Sequence, residues 1–189
     1  MQIDKFEIDG PFTFVPQHFE DSRGHFCETF NLAKLQEVGV HESSWVQDNQ
    51  SLSVNAYTLR GMHFQLPPFA QAKIIRVLQG RIYDVVVDIR SGSKTYGKWL
   101  GVELDAKHAR QLYLPTGFAH GFLTLEAECV VAYKVSTFFS KTHDRSLLWS
   151  DADVGIIWPL PPKSIPVLSD KDAMAPPFNK LKLELENLN

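Results

Sequence analysis

Little in this sequence is extreme, and its scarcities narrow the reading first. Cysteine occurs twice, at Cys27 and Cys129, without CxxC spacing. A disulfide framework and a zinc pair are therefore both disfavoured, and the two are read as reduced thiols. Apolar runs are short, such as Val85-Val86-Val87 and Cys129-Val130-Val131-Ala132, where a membrane-spanning helix needs roughly 20 residues. Charge of one sign is not in excess. A formal net charge of -3 supplies no basic field for a phosphate backbone, so neither nucleic acid nor membrane is an expected partner. The opening Met1-Gln2-Ile3-Asp4-Lys5 lacks the basic, apolar and small-residue succession of a secretion signal, and a cytoplasmic location is the default expectation.

What is present reads as an ordinary globular chain, 44% hydrophobic and 22% charged, of a length that fits a single domain over residues 1–189. The middle consists of β-branched and aromatic runs bounded by glycine or polar clusters, the pattern of strands. Residues 73–78 and 81–90, separated by Gln79-Gly80, read as a hairpin. So do 99–104 with 110–114 across Asp105-Ala106-Lys107-His108, and 121–125 with 129–138 across Glu126-Ala127-Glu128. The one clear internal helix is predicted over 32–38, capped by Asn31 and ended by Gly39. From Trp158 to Pro177 the chain is rich in proline and should run as a tethered coil. The leucines at 181, 183, 185 and 188 fit a strand and a helix equally well. Many short strands with tight turns point to an all-β sandwich or jelly-roll barrel whose mouth could hold a small molecule.

Chemistry concentrates where polar residues interrupt strand-like segments. Four such stretches are Asp21-Ser22-Arg23-Gly24-His25-Phe26-Cys27-Glu28, Gln47-Asp48-Asn49-Gln50-Ser51, Leu59-Arg60-Gly61-Met62-His63-Phe64-Gln65 and Pro115-Thr116-Gly117-Phe118-Ala119-His120-Gly121-Phe122. The last contains Pro-x-Gly-x-x-His, which resembles the second signature of cupin barrels. Metal-dependent cupins add a His-x-His pair and a glutamate, but here the matching stretch is His63-Phe64-Gln65 with no glutamate nearby. No metal and no other cofactor are expected.

Together with Gln71-x-Lys73, Val87-Asp88-Ile89-Arg90, Gly92-Ser93-x-Thr95-Tyr96-Gly97-Lys98-Trp99, Tyr133-Lys134 and Leu168-Ser169-x-Lys171-Asp172, these motifs resemble, in order and spacing, the dTDP-4-dehydrorhamnose 3,5-epimerase family of the cupin superfamily. The resemblance implies a cupin-type jelly-roll barrel with a few short helices, the proline-rich segment 158–189 packing on it. It implies a nucleotide-sugar substrate, a homodimer and inversion of carbons beside a C4 ketone. Protons next to a ketone are acidic, so inversion needs a base on one face, an acid on the other and a group to hold the enolate. By resemblance His63 is the base, oriented by Asp172, Tyr133 is the acid and Lys73 faces the oxyanion. A histidine suits the first task because imidazole titrates near neutral pH. Arg23, Arg60, His120 and Lys171 are implied to meet diphosphate or sugar, and Glu28, Gln47, Asn49 and Asp144 the nucleotide. Asp144 stands where the family usually has glutamate, and Phe64, Gln50 and Phe138-Phe139 also depart from the family pattern. Asp84 and Asp88 read either as cavity groups or as outward charges. An epimerase of one carbon, or of another nucleotide-linked 4-keto sugar, is the alternative.

Overall fold

The computed structural model describes residues 2–186. Its strands are β1 (Gln2–Lys5), β2 (Phe12–Val15), β3 (His18–Asp21), β4 (Gly24–Cys27), β5 (Gln47–Ser53), β6 (Leu59–Gln65) and β7 (Lys73–Gln79). They continue through β8 (Arg81–Asp88), β9 (Trp99–Asp105), β10 (Gln111–Leu114), β11 (Phe118–Thr124), β12 (Cys129–Val135) and β13 (Asp144–Ser146). Three short helices, α1 (Leu32–Gln36), α2 (Asp170–Ala173) and α3 (Phe178–Glu186), complete the described residues.

The pairing is nested: β8 with β9, β7 with β10, β6 with β11 and β5 with β12, all antiparallel. Eight strands thus form one long hairpin that folds over, so that alternate rungs fall into two sheets. The six-stranded sheet runs β1-β2-β10-β7-β12-β5 and the five-stranded sheet β13-β6-β11-β8-β9. This is the jelly-roll arrangement. Between the sheets, Ile75, Val77, Ile82, Val86, Leu112, Phe122 and Val131 form an apolar core.

The expected strands are present, but the three expected hairpins are not. β7 and β8, β9 and β10, and β11 and β12 each lie in different sheets, so those turns are corners between layers. Gly80 shows why the two look alike in sequence. Its φ of +80 turns the chain sharply, and a Cβ there would lie 2.4 Å from Cys129 Sγ, which satisfies a corner as well as a hairpin.

Both sheets are covered on part of their outer faces. Phe178, Leu181 and Leu185 of α3, at spacings of three and four, pack with Met62, Phe64, Val85 and Val87 on the five-stranded sheet. Each such side chain contributes about 1.5–3 kcal/mol when fully buried, which settles the leucine-rich end as helix through Glu186; residues 187–189 lie outside the described residues. On the other sheet, Leu35 of α1 packs with Phe12, Phe14, Ile74 and Tyr113. Asn31 caps α1 by accepting from Lys34 N–H, as expected, although the helix ends at Gln36. The proline-rich stretch is coil interrupted by α2, tied down where Val167 bridges Thr58 in parallel.

Candidate active site

Strand register brings polar residues from both sheets to one end of the barrel. On the five-stranded sheet His63 lies directly opposite His120. Arg60 lies opposite Phe122, so three steps along β6 match two along β11. That extra residue is a β-bulge, and it places Arg60 and His63 on the same inner face, which simple alternation would forbid. Gly61 makes it possible: its φ is +125 and a Cβ would lie 2.6 Å from Gly121 Cα. The glycine in Arg-Gly-x-His is thus a geometric requirement of the site.

On the facing sheet Tyr133 is opposite Asn49 and Ile75, and Lys73 is opposite Val135. Lys73 and Tyr133 are therefore diagonal neighbours on one face. A cavity of about 440 Å³ opens between the sheets, lined by Arg60, His63, Lys73, His120, Tyr133 and Asp172. An adjoining recess of about 360 Å³ shares His63, Lys73 and Tyr133 and adds Gln47, Asn49, Phe139, Asp144 and Lys171.

Asp172 reaches His63 across 109 positions of sequence. The proline-rich strap delivers it: Leu59 N–H donates to Val167 O and Val167 N–H to Tyr57 O, each at 2.9 Å. Ser169 then caps α2 by accepting from Asp172 N–H. The Asp172 carboxylate meets His63 Nε2 at 2.6 Å with one oxygen, and accepts from Gly61 N–H at 3.4 Å with the other. Burial alone would raise the pKa of Asp172, but the bonds from His63, Ser169 and Gly61 hold it below the usual carboxylate value. With Nε2 taken by an ionised carboxylate, Nδ1 is the nitrogen left to accept a proton.

Burial pulls Lys73 down to about 8, against the attraction of Asp144 and Asp84. Burial raises Tyr133, partly offset by Arg60, so its phenol keeps its proton at neutral pH. A cavity with a hydrogen-bonded imidazole on one wall, a protonated phenol on the other and a buried amine beside it can move protons to and from opposite faces of a bound ring. Among the described residues no three His, Cys, Asp or Glu side chains are grouped to hold a metal ion. His63 and His120 each meet a carboxylate of their own.

The family model described as dTDP-4-dehydrorhamnose 3,5-epimerase matches residues 5–180. The chain belongs to that epimerase family. It is 46% identical to the dTDP-4-dehydrorhamnose 3,5-epimerase of Shigella flexneri, over 91% of this chain and 93% of that one. Among solved structures, the Bacillus anthracis dTDP-4-dehydrorhamnose 3,5-epimerase with TDP and PPi bound superposes with a TM-score of 0.89 at 44% identity, covering 94% of this chain and 99% of that chain. The dTDP-6-deoxy-D-glucose-3,5-epimerase of Legionella pneumophila, in complex with dTDP-4-keto-L-rhamnose, gives 0.90 at 38% identity, covering 97% and 96%.

In this member of the epimerase family, two expected contact residues stand away from the cavity. Arg23, at the tip of the β3–β4 hairpin, is ion-paired with Asp21 at 2.6 Å and exposed. Glu28 is held by Lys34 Nζ at 2.6 Å and Asn31 Nδ2 at 3.0 Å. Asp144 pairs with Lys171 at the rim of the recess.

Sequence reading quoted Ser51 and Phe122 within motifs and Phe139 as a departure from the family pattern, but gave none of the three a place in the site. Ser51 and Phe122 border the cavity, and Phe139 borders the recess while 57% exposed. Ser51 was legible in principle, since it shares a strand face with Gln47 and Asn49. Asp84 and Asp88 are both fully buried. Asp88 binds Arg90, Ser93 and Thr95 and thereby locks the β8–β9 loop; Asp84 binds His120.

Proposed function

We propose that this chain converts dTDP-4-dehydro-6-deoxy-D-glucose to dTDP-4-dehydro-L-rhamnose by inverting C3 and C5. The observation that carries this reading is the placement of His63 and Tyr133 on facing walls of one cavity, with buried Lys73 on the wall of Tyr133. His63 Nδ1 takes the proton from the carbon beside the ketone, and the C–H electron pair moves into the ring to give an enolate at the C4 oxygen. Asp172 stabilises the imidazolium so formed, as an ionised carboxylate does for a catalytic histidine. The Lys73 ammonium faces the enolate oxygen, the arrangement that stabilises charge as it develops. Tyr133 returns a proton to the opposite face. One inversion leaves a proton on His63 and removes one from Tyr133, so both must exchange with water before the second carbon reacts.

Arg60, His120 and Lys171 hold the sugar and diphosphate; Gln47, Asn49 and Asp144, in the adjoining recess, hold the nucleoside. The chain works as a cytoplasmic homodimer of single domains, residues 1–189, on a nucleotide-sugar substrate. The exposed Phe19 and Phe26 of the β3–β4 hairpin, whose ring centroids are 6.3 Å apart, support an interface there. Such an interface gives Arg23 and Glu28 a route to the second copy's site, which sedimentation of the wild type and of Phe26→Asp tests.

The deciding experiment incubates this substrate with the protein in heavy water and counts deuterium by NMR. Label at both C3 and C5 is expected, with the L-configured product. Label at one carbon alone would assign a single-carbon epimerase, and no label would overturn the reading.

A further inference from the structure

The proton path above uses the His63–Asp172 pair and leaves unused a second pair beside it. His120 and His63 are cross-strand neighbours. His120 Nε2 lies 2.9 Å from one Asp84 oxygen and 3.0 Å from the other, so the imidazole edge faces the whole carboxylate. Asp84 is diagonal to His120 across β8 and β11. The Asp84 side chain has 0% exposure and His120 has 8%. Two other buried carboxylates are spent on architecture: Asp88 on its loop, and Asp151 on the backbone N–H groups of Asp153, Val154 and Phe178. Asp84 instead serves a side chain that lines the cavity.

We propose that Asp84 is a positioning residue of the epimerisation: it holds His120 as a cation with Nδ1–H presented to the sugar ketone, a second donor to the C4 oxygen beside Lys73. This rests on the epimerase reading of the cavity. A carboxylate that meets only Nε2 fixes the ring orientation and leaves Nδ1 as the nitrogen available to a ligand. It also settles the local charge. The groups facing this end of the cavity are His63 and Arg60 from β6, Lys73 from β7, Tyr133 from β12 and Asp172 from the strap, with the Asp144–Lys171 pair in the adjoining recess. Asp172 is committed to His63, so Asp84 is the buried anion that balances His120; Lys73 is attracted first by Asp144, itself paired with Lys171, and then by Asp84. Burial raises the pKa of Asp84 above the ordinary carboxylate value, and the neighbouring His120 and Lys73 offset only part of that rise. A buried charge persists only where a partner offsets its desolvation. With Asp84 ionised, the His120–Asp84 pair carries no net charge, and the Lys73 ammonium is the cation beside the enolate oxygen. Without it, a His120 cation would face the Lys73 ammonium across the cavity with no carboxylate of its own.

The first test needs no variant. In wild-type protein labelled with ¹⁵N in histidine, at pH 7, the His120 ring should show both nitrogens protonated; a neutral ring overturns the proposal. The second is Asp84→Asn, an isosteric change, with proton exchange and turnover followed on dTDP-4-dehydro-6-deoxy-D-glucose. Loss of a charge-assisted bond predicts kcat lower by roughly 10- to 100-fold with KM changed by less than about threefold, and a His120 ring with one proton. Combining Asp84→Asn with His120→Gln should cost no more than His120→Gln alone, because Asp84 acts through that ring. Full additivity, or a loss confined to KM, refutes the role. Wild-type protein that fails to exchange C3 and C5 protons would instead sink the epimerase reading, a separable outcome.

Discussion

Replacing Asp172 with Asn tests the proton path at its best-defined bond. In the wild type one carboxylate oxygen meets His63 Nε2 at 2.6 Å and the other accepts from Gly61 N–H at 3.4 Å. An amide cannot do both. If its oxygen faces His63, its NH2 faces the Gly61 N–H; if it flips, its NH2 donates to Nε2 and the ring proton moves to Nδ1, the nitrogen that must accept. Loss of one bond to a charged group costs about 1.5–3 kcal/mol, which at about 1.36 kcal/mol per decade is roughly 10- to 160-fold in kcat. Forcing the wrong tautomer extends this toward the ~10⁴-fold loss of an absent general base. The assay is wash-in of deuterium at C3 and C5, which reports abstraction alone, run beside product formation. Both should fall together. The variant also removes a pH dependence: the folded-state pKa of Asp172 is depressed, so its contribution to stability is present above the ordinary carboxylate range and lost as pH falls through the lowered value. Asp172→Asn should therefore unfold in acid with a shallower loss of stability than the wild type. Exchange within about twofold of wild type, far inside the loss expected for a base, would refute the dyad.

Tyr133→Phe should keep deuterium wash-in while slowing inversion by roughly 10²–10⁴-fold, the contribution of a general acid; equal loss of both, measured by NMR, would contradict a two-faced mechanism. Lys73→Met should lower kcat by about 10²–10³-fold. In the wild type kcat/KM should fall as pH rises past about 8, because the free enzyme then loses its ammonium, and in the variant that limb should be gone. The same depressed value means that the unfolded chain binds more protons above about 8, so Lys73 destabilises the fold at neutral pH, and calorimetry at pH 7 should find Lys73→Met no less stable than wild type. Gly61→Ala drives a Cβ to 2.6 Å from Gly121 Cα at a φ of +125; strain of about 1–3 kcal/mol should lower Tm by several degrees in a scanning calorimeter, with activity falling as Arg60 and His63 lose their shared face.

Part of the molecule was readable before folding because the physics is local. Runs of valine, isoleucine and aromatics mark strands wherever they lie, and Asn31 before an apolar-periodic turn marks a cap; both appear in the structure. The chemistry was legible only through resemblance, because the motifs that carry His63, Lys73, Tyr133 and Asp172 match those of the epimerase family in order and spacing. Pairing was not legible. A glycine corner such as Gly80 looks the same whether the next strand returns beside its predecessor or crosses to the facing sheet, and every expected hairpin proved to be a crossing.

The sequence by itself determined an all-β chain and the strands of its middle, and its likeness to the epimerase family marked His63, Lys73, Tyr133 and Asp172 as the set to watch. Tertiary structure alone decided that a bulge at Gly61 turns Arg60 and His63 to one side, that a proline-rich strap carries Asp172 back to β6, and that Asp84 faces inward onto His120. Each of these depends on which strand lies next to which, and that is fixed by burial summed over the whole core, a quantity no short window of residues contains.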